Sequence, residues 1–330
     1  MELQFVPNGR RITLHPDCRD VVNSLTPWQR HAIYHQVCRQ SFAQTHPEAA
    51  IDTGPLTTEG LDVVRGSLSA KEAVSIADVI TANLEALGPR AGAHGPVSDD
   101  PTDAIISVAQ TGDLRALLQD ALPRILSDET TVILERYYGS HFRIHGAVTY
   151  RTHALTQQVG SFLWHRDTAP MGQIHMIVYL TPSGAASGST QFLGLNQSAR
   201  AASLGYHYEH LENRTRDIET IFDGIEEKPD VLCPELAAGD SVIFPAPRVL
   251  HRGNLPTHGY RDTFTLILLP SFVPWQADIE DFGADHIFGD TTMRTLITDP
   301  FQAPPLELPA AARGDLNITE QWVLVGRMLP

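Results

Sequence analysis

Between about Thr130 and Pro270 the chain breaks into short runs rich in β-branched and aromatic residues, each closed by a turn signal. The runs cover 131–138, 142–152, 159–165, 173–181, 188–193, 240–245 and 262–269. Residues of this kind suit a pleated, half-buried surface. Several short strands at this spacing predict an all-β sandwich or barrel. A polar, partly helical insertion at 198–230, centred on Tyr206–Phe222, interrupts them.

The 130 residues before this region read as mainly helical. Thr26 followed by Pro27 and Trp28 is a helix start, with a hydroxyl at the cap and proline in the first turn. Ser69 and Glu72 match a capping box, and Val74, Ile76, Val79, Ile80, Leu84 and Leu87 keep near-helical spacing up to Gly88-Pro89. Residues 89–103 read as a surface loop, and a further helix is expected over about 104–126. Beyond Pro270 the chain is Pro-rich, with a last apolar run at Gln321–Val325. The expected organisation is one domain over 1–330: a helical region to 130, a β core over 131–270, and an extension over 271–330.

Composition narrows the class of function. A net charge of −15 leaves no electrostatic footprint for nucleic acid or an anionic membrane. No apolar stretch approaches the roughly 20 residues that span a bilayer. Three cysteines, Cys18, Cys38 and Cys233, without metal-ribbon spacing fit a reducing cytoplasm. The expected partner is therefore a small molecule; oligomeric state is not legible.

The chemistry centres on Trp164-His165-Arg166-Asp167, followed much later by Leu250-His251-Arg252. A His-x-Asp pair at the end of a strand puts two ligands on one side of the chain. A third ligand from a distant strand completes a facial triad, which leaves three positions open on an octahedral metal. His31 and His35 have zinc-ligand spacing but no Glu or Cys companion in the HExxH manner; they, His141 with His145, and His207 with His210 read as packing or surface groups. Ahead of His251, Gly239-Asp240 makes a turn into an apolar strand. After it, Gly259-Tyr260-Arg261-Asp262-Thr263 opens another. Two antiparallel strands joined by a turn would return Arg261 alongside the metal, with Thr263 on the same face. A guanidinium there suits the far carboxylate of 2-oxoglutarate, whose other end chelates iron. The chain's two lysines, Lys71 and Lys228, lie in a helix and an acidic loop and do not suit that task. A surface ion pair between Arg261 and Asp262 is the bland alternative. Arg151 and Arg166 read equally as contacts for an acidic substrate or as surface residues, and Trp164 reads as core.

With these residues in place, the chain resembles the phytanoyl-CoA dioxygenase-like branch of the Fe(II)/2-oxoglutarate oxygenases. The resemblance runs from about Thr130 to Pro270. It rests on Trp-His-x-Asp at 164–167, Val178-Tyr179-Leu180-Thr181, Gly188-Ser189-Thr190-Gln191-Phe192, Gly239-Asp240 through His251, and Arg261-x-Thr263. It implies a double-stranded β-helix (a cupin-like jelly roll) with the N-terminal helices outside its major sheet. It also implies His165, Asp167 and His251 as iron ligands and catalytic residues, Arg261 with Thr263 as the 2-oxoglutarate clamp, and Thr152 as a weaker co-substrate contact. The implied reaction uses Fe(II), O₂ and 2-oxoglutarate, releases succinate and CO₂, and hydroxylates a C–H bond of a small metabolite. Related halogenases lack the carboxylate ligand, so Asp167 implies oxygen transfer. One departure stands out: where family members commonly have a Pro-Gly-Ser-His type of turn, this chain has Leu193-Gly194-Leu195-Asn196-Gln197-Ser198.

Other readings stay open on the sequence. The same iron core runs desaturation, cyclisation or epimerisation. A non-catalytic cupin-like binding protein would explain the ligands without Arg261, and a zinc hydrolase would need a nearby glutamate.

Overall fold

The computed structural model describes residues 3–5, 12–14, 27–48 and 54–288. A short ribbon pairs β1 (Leu3–Phe5) with β2 (Ile12–Leu14). The main body has two antiparallel sheets. The larger comprises β3 (Asp62–Val64), β4 (Ile105–Ser107), β5 (His141–His153), β6 (Ile174–Tyr179), β9 (Ser241–Phe244) and β11 (Tyr260–Ser271), in the order β3-β9-β6-β11-β5-β4. The smaller comprises β7 (Gln191–Leu193), β8 (Val231–Leu232) and β10 (His251–Arg252), in the order β10-β7-β8.

Period-two alternation assigns the faces of the larger sheet. Phe142 on β5, Ile174, Met176 and Val178 on β6, and Phe264, Leu266 and Leu268 on β11 are buried on its outer face. They pack against Ile76 and Ile80 of a helix over Ala70–Ala86, Leu118 and Leu122 of a helix over Gly112–Ile125, and Leu134 of a helix over Asp128–Tyr138. Each such side chain contributes about 1.5–3 kcal/mol when fully buried. The inner face carries His175 and Ile177 of β6, Val148, Tyr150 and Thr152 of β5, and Arg261, Thr263, Thr265 and Ile267 of β11, which line a cavity shared with the smaller sheet. Two facing antiparallel sheets with helices outside the larger one make a jelly roll of the double-stranded β-helix kind.

The structure corrects several expected elements. Residues 131–138 are helical, within Asp128–Tyr138. Their β-branched and aromatic content favours a strand, but Ser127 caps the helix, Asp128 and Glu129 occupy its first turn, and Gly139 closes it at φ 62°. Thr130, Leu134 and Tyr138, one helical turn apart, are fully buried, so packing overrides propensity. The stretch 159–165 is a short 3₁₀ turn at Gly160–Phe162, with only His165 in a bridge, because Gly160 turns the chain at φ 62°. The helix expected over 104–126 is preceded by β4 and starts at Gly112. The expected β7 is shorter, and β3, β4, β8 and β10 were not foreseen. The capping box of Ser69 and Glu72 is present. Pro27–Thr45 is helical, while Thr26, Cys18 and Gln321–Val325 lie outside the described residues.

The unusual Gly194 turn has a structural role: it caps a helix over Leu195–Ser203 that opens the insertion. Gly239, at φ 95°, could not carry a side chain, since a Cβ would lie 2.1 Å from the Leu68 carbonyl oxygen. Asp240 then accepts hydrogen bonds from the Gly66 and Ala237 amides and from Arg65. The Gly-Asp motif is thus a turn that pins the start of β9.

Candidate metal centre

The backbone brings the three proposed ligands together. His165 and His251 form an isolated antiparallel bridge, each amide donating to the other's carbonyl at 2.9 Å. The Asp167 amide donates to the Ala246 carbonyl at 3.1 Å. Residues 165 and 167 therefore face one way and Arg166 the other. Arg166 is buried and donates to the main-chain carbonyls of Arg248, Tyr206, His207 and Ser198. It is neither a surface residue nor a substrate contact; it ties the metal loop to the insertion.

Each imidazole is oriented by the main-chain carbonyl two residues before it. Nδ1 of His165 lies 2.7 Å from the Leu163 carbonyl, and Nδ1 of His251 lies 2.9 Å from that of Val249. A carbonyl only accepts, so the proton sits on Nδ1 and both Nε2 lone pairs turn inward. Those Nε2 atoms lie 3.5 and 3.9 Å from Oδ1 of Asp167, and the three ligand atoms fall within 4.8 Å of one another. Ligand atoms about 2.1 Å from one ion and at right angles stand roughly 3 Å apart, so the residues fit a single metal with modest closure. Burial, reinforced by the neighbouring His165, pushes His251 down to about 3. Burial opposes the charge on Asp167, but its close contact with His165 and the fields of His175 and His251 outweigh it and hold the carboxyl well below its usual range. Neutral imidazoles and an ionised carboxylate are the donor set a divalent ion requires.

A cavity of about 640 Å³ runs from this triad to Arg261. Arg261 and His251 are not on one hairpin as expected. β10 pairs with β7 in the smaller sheet, whereas β11 pairs with β5 and β6 in the larger, so the two residues meet across the cavity. Arg261 is 7% exposed and stands opposite Thr152 in the β5–β11 register. Its Nη1 donates to the carbonyls of Gly188 and Asn254, and its Nη2 donates to Thr152 Oγ1 at 3.2 Å. Nε has no acceptor, which leaves the edge formed by Nε and Nη2 for a carboxylate. Thr263 lines the same wall. Gly188, at φ 88°, permits the close approach: a Cβ there would lie 2.9 Å from the Asn254 carbonyl oxygen.

Asp262 does not neutralise Arg261. It faces outward and takes a two-pronged ion pair from Arg151, with Nε–Oδ1 at 2.7 Å and Nη2–Oδ2 at 2.5 Å, both side chains fully buried. Arg151 lies 3.8 Å over the Tyr260 ring, so it is neither a substrate contact nor a surface group. Trp164 is core, packed with Leu193, Ile218, Phe222 and Leu250. His35 bonds the Tyr138 carbonyl, and His141 pairs with Glu135. His31 and His145 are buried, and His207 and His210 stay in the insertion. Lys71 and Lys228 are exposed. Among the described residues, only His165, Asp167 and His251 form a metal-capable group.

Two polar residues of the wall escaped the sequence reading. His175 lies 3.5 Å from Oδ2 of Asp167 through Nδ1, and Gln173 Nε2 lies 2.9 Å from His175 Nε2. The signal was present: on β6, Ile174, Met176 and Val178 share the outer face, so 173, 175 and 177 must face in. Tyr150 also lines the cavity, with its phenol raised by burial and by the Asp167 charge.

No protein-family model and no curated protein matches the chain. Similar solved structures include the non-haem α-ketoglutarate-dependent carbocyclase SnoK from nogalamycin biosynthesis, at 16% identity and TM-score 0.46, covering 65% of this chain and 81% of that one. EctD from S. alaskensis, with 2-oxoglutarate and 5-hydroxyectoine, matches at 16% identity and TM-score 0.44 over 65% of this chain and 73% of that one. HygX from Streptomyces hygroscopicus, with nickel and 2-oxoglutarate, matches at 15% identity and TM-score 0.42 over 66% and 86%. A likeness at this level assigns the chain to no family.

Proposed function

We propose that this chain is a non-haem Fe(II)- and 2-oxoglutarate-dependent dioxygenase, of phytanoyl-CoA dioxygenase-like type, that hydroxylates a C–H bond of a small molecule. One observation carries the reading: a single cavity holds a two-imidazole, one-carboxylate ligand set and a buried arginine with an open fork. His165, Asp167 and His251 would hold the metal and leave three positions for co-substrate and O₂. Bound iron would supply O₂ activation coupled to oxidative decarboxylation of 2-oxoglutarate to succinate and CO₂. Arg261 receives the far carboxylate through Nε and Nη2, Thr263 adds a hydroxyl, and Thr152 holds the guanidinium in plane. The wall formed by Ile105, Val148, Phe162 and Ile267 excludes water from the reacting centre.

A binding-only jelly roll leaves a buried guanidinium edge without a task, and such a group is costly to bury unpaired. A zinc hydrolase calls for an acid–base glutamate, and no glutamate lines the cavity among the described residues. Desaturation, cyclisation and epimerisation use the same core; Asp167 occupies the ligand position that a halide would need, which favours oxygen transfer over halogenation. The two described cysteines, both free thiols, favour a reducing compartment. Among the described residues no helix is long and apolar enough to cross a membrane.

Anaerobic addition of Fe(II) and 2-oxoglutarate should give a visible metal-to-ligand charge-transfer band. A metabolite screen for succinate release should then yield a product one oxygen atom heavier than its substrate. No band with both additions present would sink the reading.

A further inference from the structure

We propose that Gln173 and His175 act as a positioning pair that sets which oxygen of Asp167 faces the metal. The inference rests on the metal site proposed above. The two carboxylate oxygens have different surroundings. Oδ1 faces Nε2 of both His165 and His251, at 3.5 and 3.9 Å, whereas Oδ2 faces Nδ1 of His175 at 3.5 Å. Rotation of a carboxylate about its last torsion is soft, so covalent geometry alone does not hold this arrangement. A polarised N–H on the Oδ2 side favours it electrostatically. At 3.5 Å the contact is longer than a normal N–H···O bond and acts through charge and dipole.

The proton's place on His175 follows from its other neighbour. A neutral imidazole has one N–H. With the Gln173 amide donating to Nε2 at 2.9 Å, the proton stays on Nδ1 and faces the carboxylate. The reverse amide orientation would place the proton on Nε2 and turn a bare nitrogen lone pair on Asp167, which electrostatics disfavours. Neither residue has room to leave. Gln173 is 2% exposed, and the His175 ring sits edge-on to Phe244 at 5.6 Å. His175 also lies on a strand paired on both sides, opposite Ile267 of β11 and Phe244 of β9. His175 lies outside the set of ligand atoms that fall within 4.8 Å of one another, which makes it a positioning residue and not a fourth ligand.

Co(II) is the probe, since its visible d–d bands report coordination without turnover. His175→Phe should weaken Co(II) binding about ten- to a hundredfold and shift the d–d bands as the second carboxylate oxygen moves onto the ion. His175→Asn, whose amide NH₂ overlays Nδ1, should recover most of both. Gln173→Leu should fall between, because the imidazole proton is no longer assigned. A purely structural role would lower the melting temperature, leave the bands of the bound ion unchanged, and show no rescue by asparagine; that result overturns the proposal. So does wild-type affinity with wild-type bands in a folded His175→Phe or Gln173→Leu. Should His175→Phe fail to fold, Gln173→Leu carries the test, and proton NMR of the Co(II) wild type checks the number of ligand imidazoles. Two strongly shifted imidazole N–H signals are expected, and three would make His175 a ligand. Absence of Co(II) binding by the wild type would instead bring down the metal site itself, and the pair with it.

Discussion

At the metal end of the cavity, His251 sits on a strand of two residues and His165 in an isolated bridge. At the other end, Arg261 sits in a strand of 12 residues paired on both sides. The metal end takes its geometry from local ties: two ring-to-carbonyl bonds, a pair of bridge hydrogen bonds and the Arg166 clamp. The co-substrate end takes its geometry from the register of a long ladder whose outer face is core. Damage at the first end should therefore remain local, while damage to the ladder should be felt by the whole fold.

The largest expected effect tests the local end. Asp167→Ala should weaken Fe(II) binding more than about a hundredfold, beyond the usual loss of an outer-shell partner, and abolish turnover. Its melting temperature should remain close to wild type. A protein that unfolds would erase the contrast; one that turns over normally would remove Asp167 from the site. Next comes the ladder's outer face. Arg151→Met leaves Asp262 buried without its cation and should cost about 3–5 kcal/mol in denaturant unfolding. Arg151→Met with Asp262→Leu should regain most of that, and the folded fraction should bind Fe(II) as wild type does.

Two smaller effects sharpen the comparison on the ladder's inner face. Arg261→Ala should cost about 2–5 kcal/mol of co-substrate binding, roughly a 30- to several-thousandfold rise in the 2-oxoglutarate requirement. Fe(II) affinity should not change. Arg261→Lys should be milder yet impaired, since an ammonium cannot form the fork. An unaltered 2-oxoglutarate requirement in the alanine variant would assign the carboxylate to another residue. Smallest is Thr263→Val, which removes one hydroxyl and should cost about 0.5–1.5 kcal/mol, read as a two- to tenfold change in the same titration.

What the sequence revealed divides along similar lines. Arg261 and Thr263 were legible because alternation along a long strand puts them on one face. The proposed ligand trio was legible only through its context, since His-x-Asp recurs by chance: the Gly239-Asp240 turn before His251 and the Arg261-x-Thr263 strand after it singled the three out. The hairpin expected to join His251 to Arg261 was wrong, because spacing along the chain does not say which sheet a strand enters. His175 and Gln173 were missed although their face was readable; a histidine in an apolar run announces no partner until Asp167 is placed beside it. Arg151 and Asp262 look like surface charges in a sequence, and only the helices over that face reveal them as buried. At 131–138 local propensity pointed one way, while the buried trio Thr130, Leu134 and Tyr138 decided the other.

The Arg166 clamp has a consequence for how such a chain can diversify. Its acceptors are all main-chain oxygens, from Ser198, Tyr206, His207 and Arg248. A main-chain oxygen is the same for every amino acid, so the clamp constrains the path of the insertion and not its composition. A position such as His207, which serves here through its carbonyl, is open to replacement without disturbing the proposed metal ligands on either side of Arg166. The segment's exposed positions can thus change without loosening the clamp, provided that its trace over the metal loop is kept along with Ser198, Tyr206, Ile218 and Phe222, whose side chains tie it to the core.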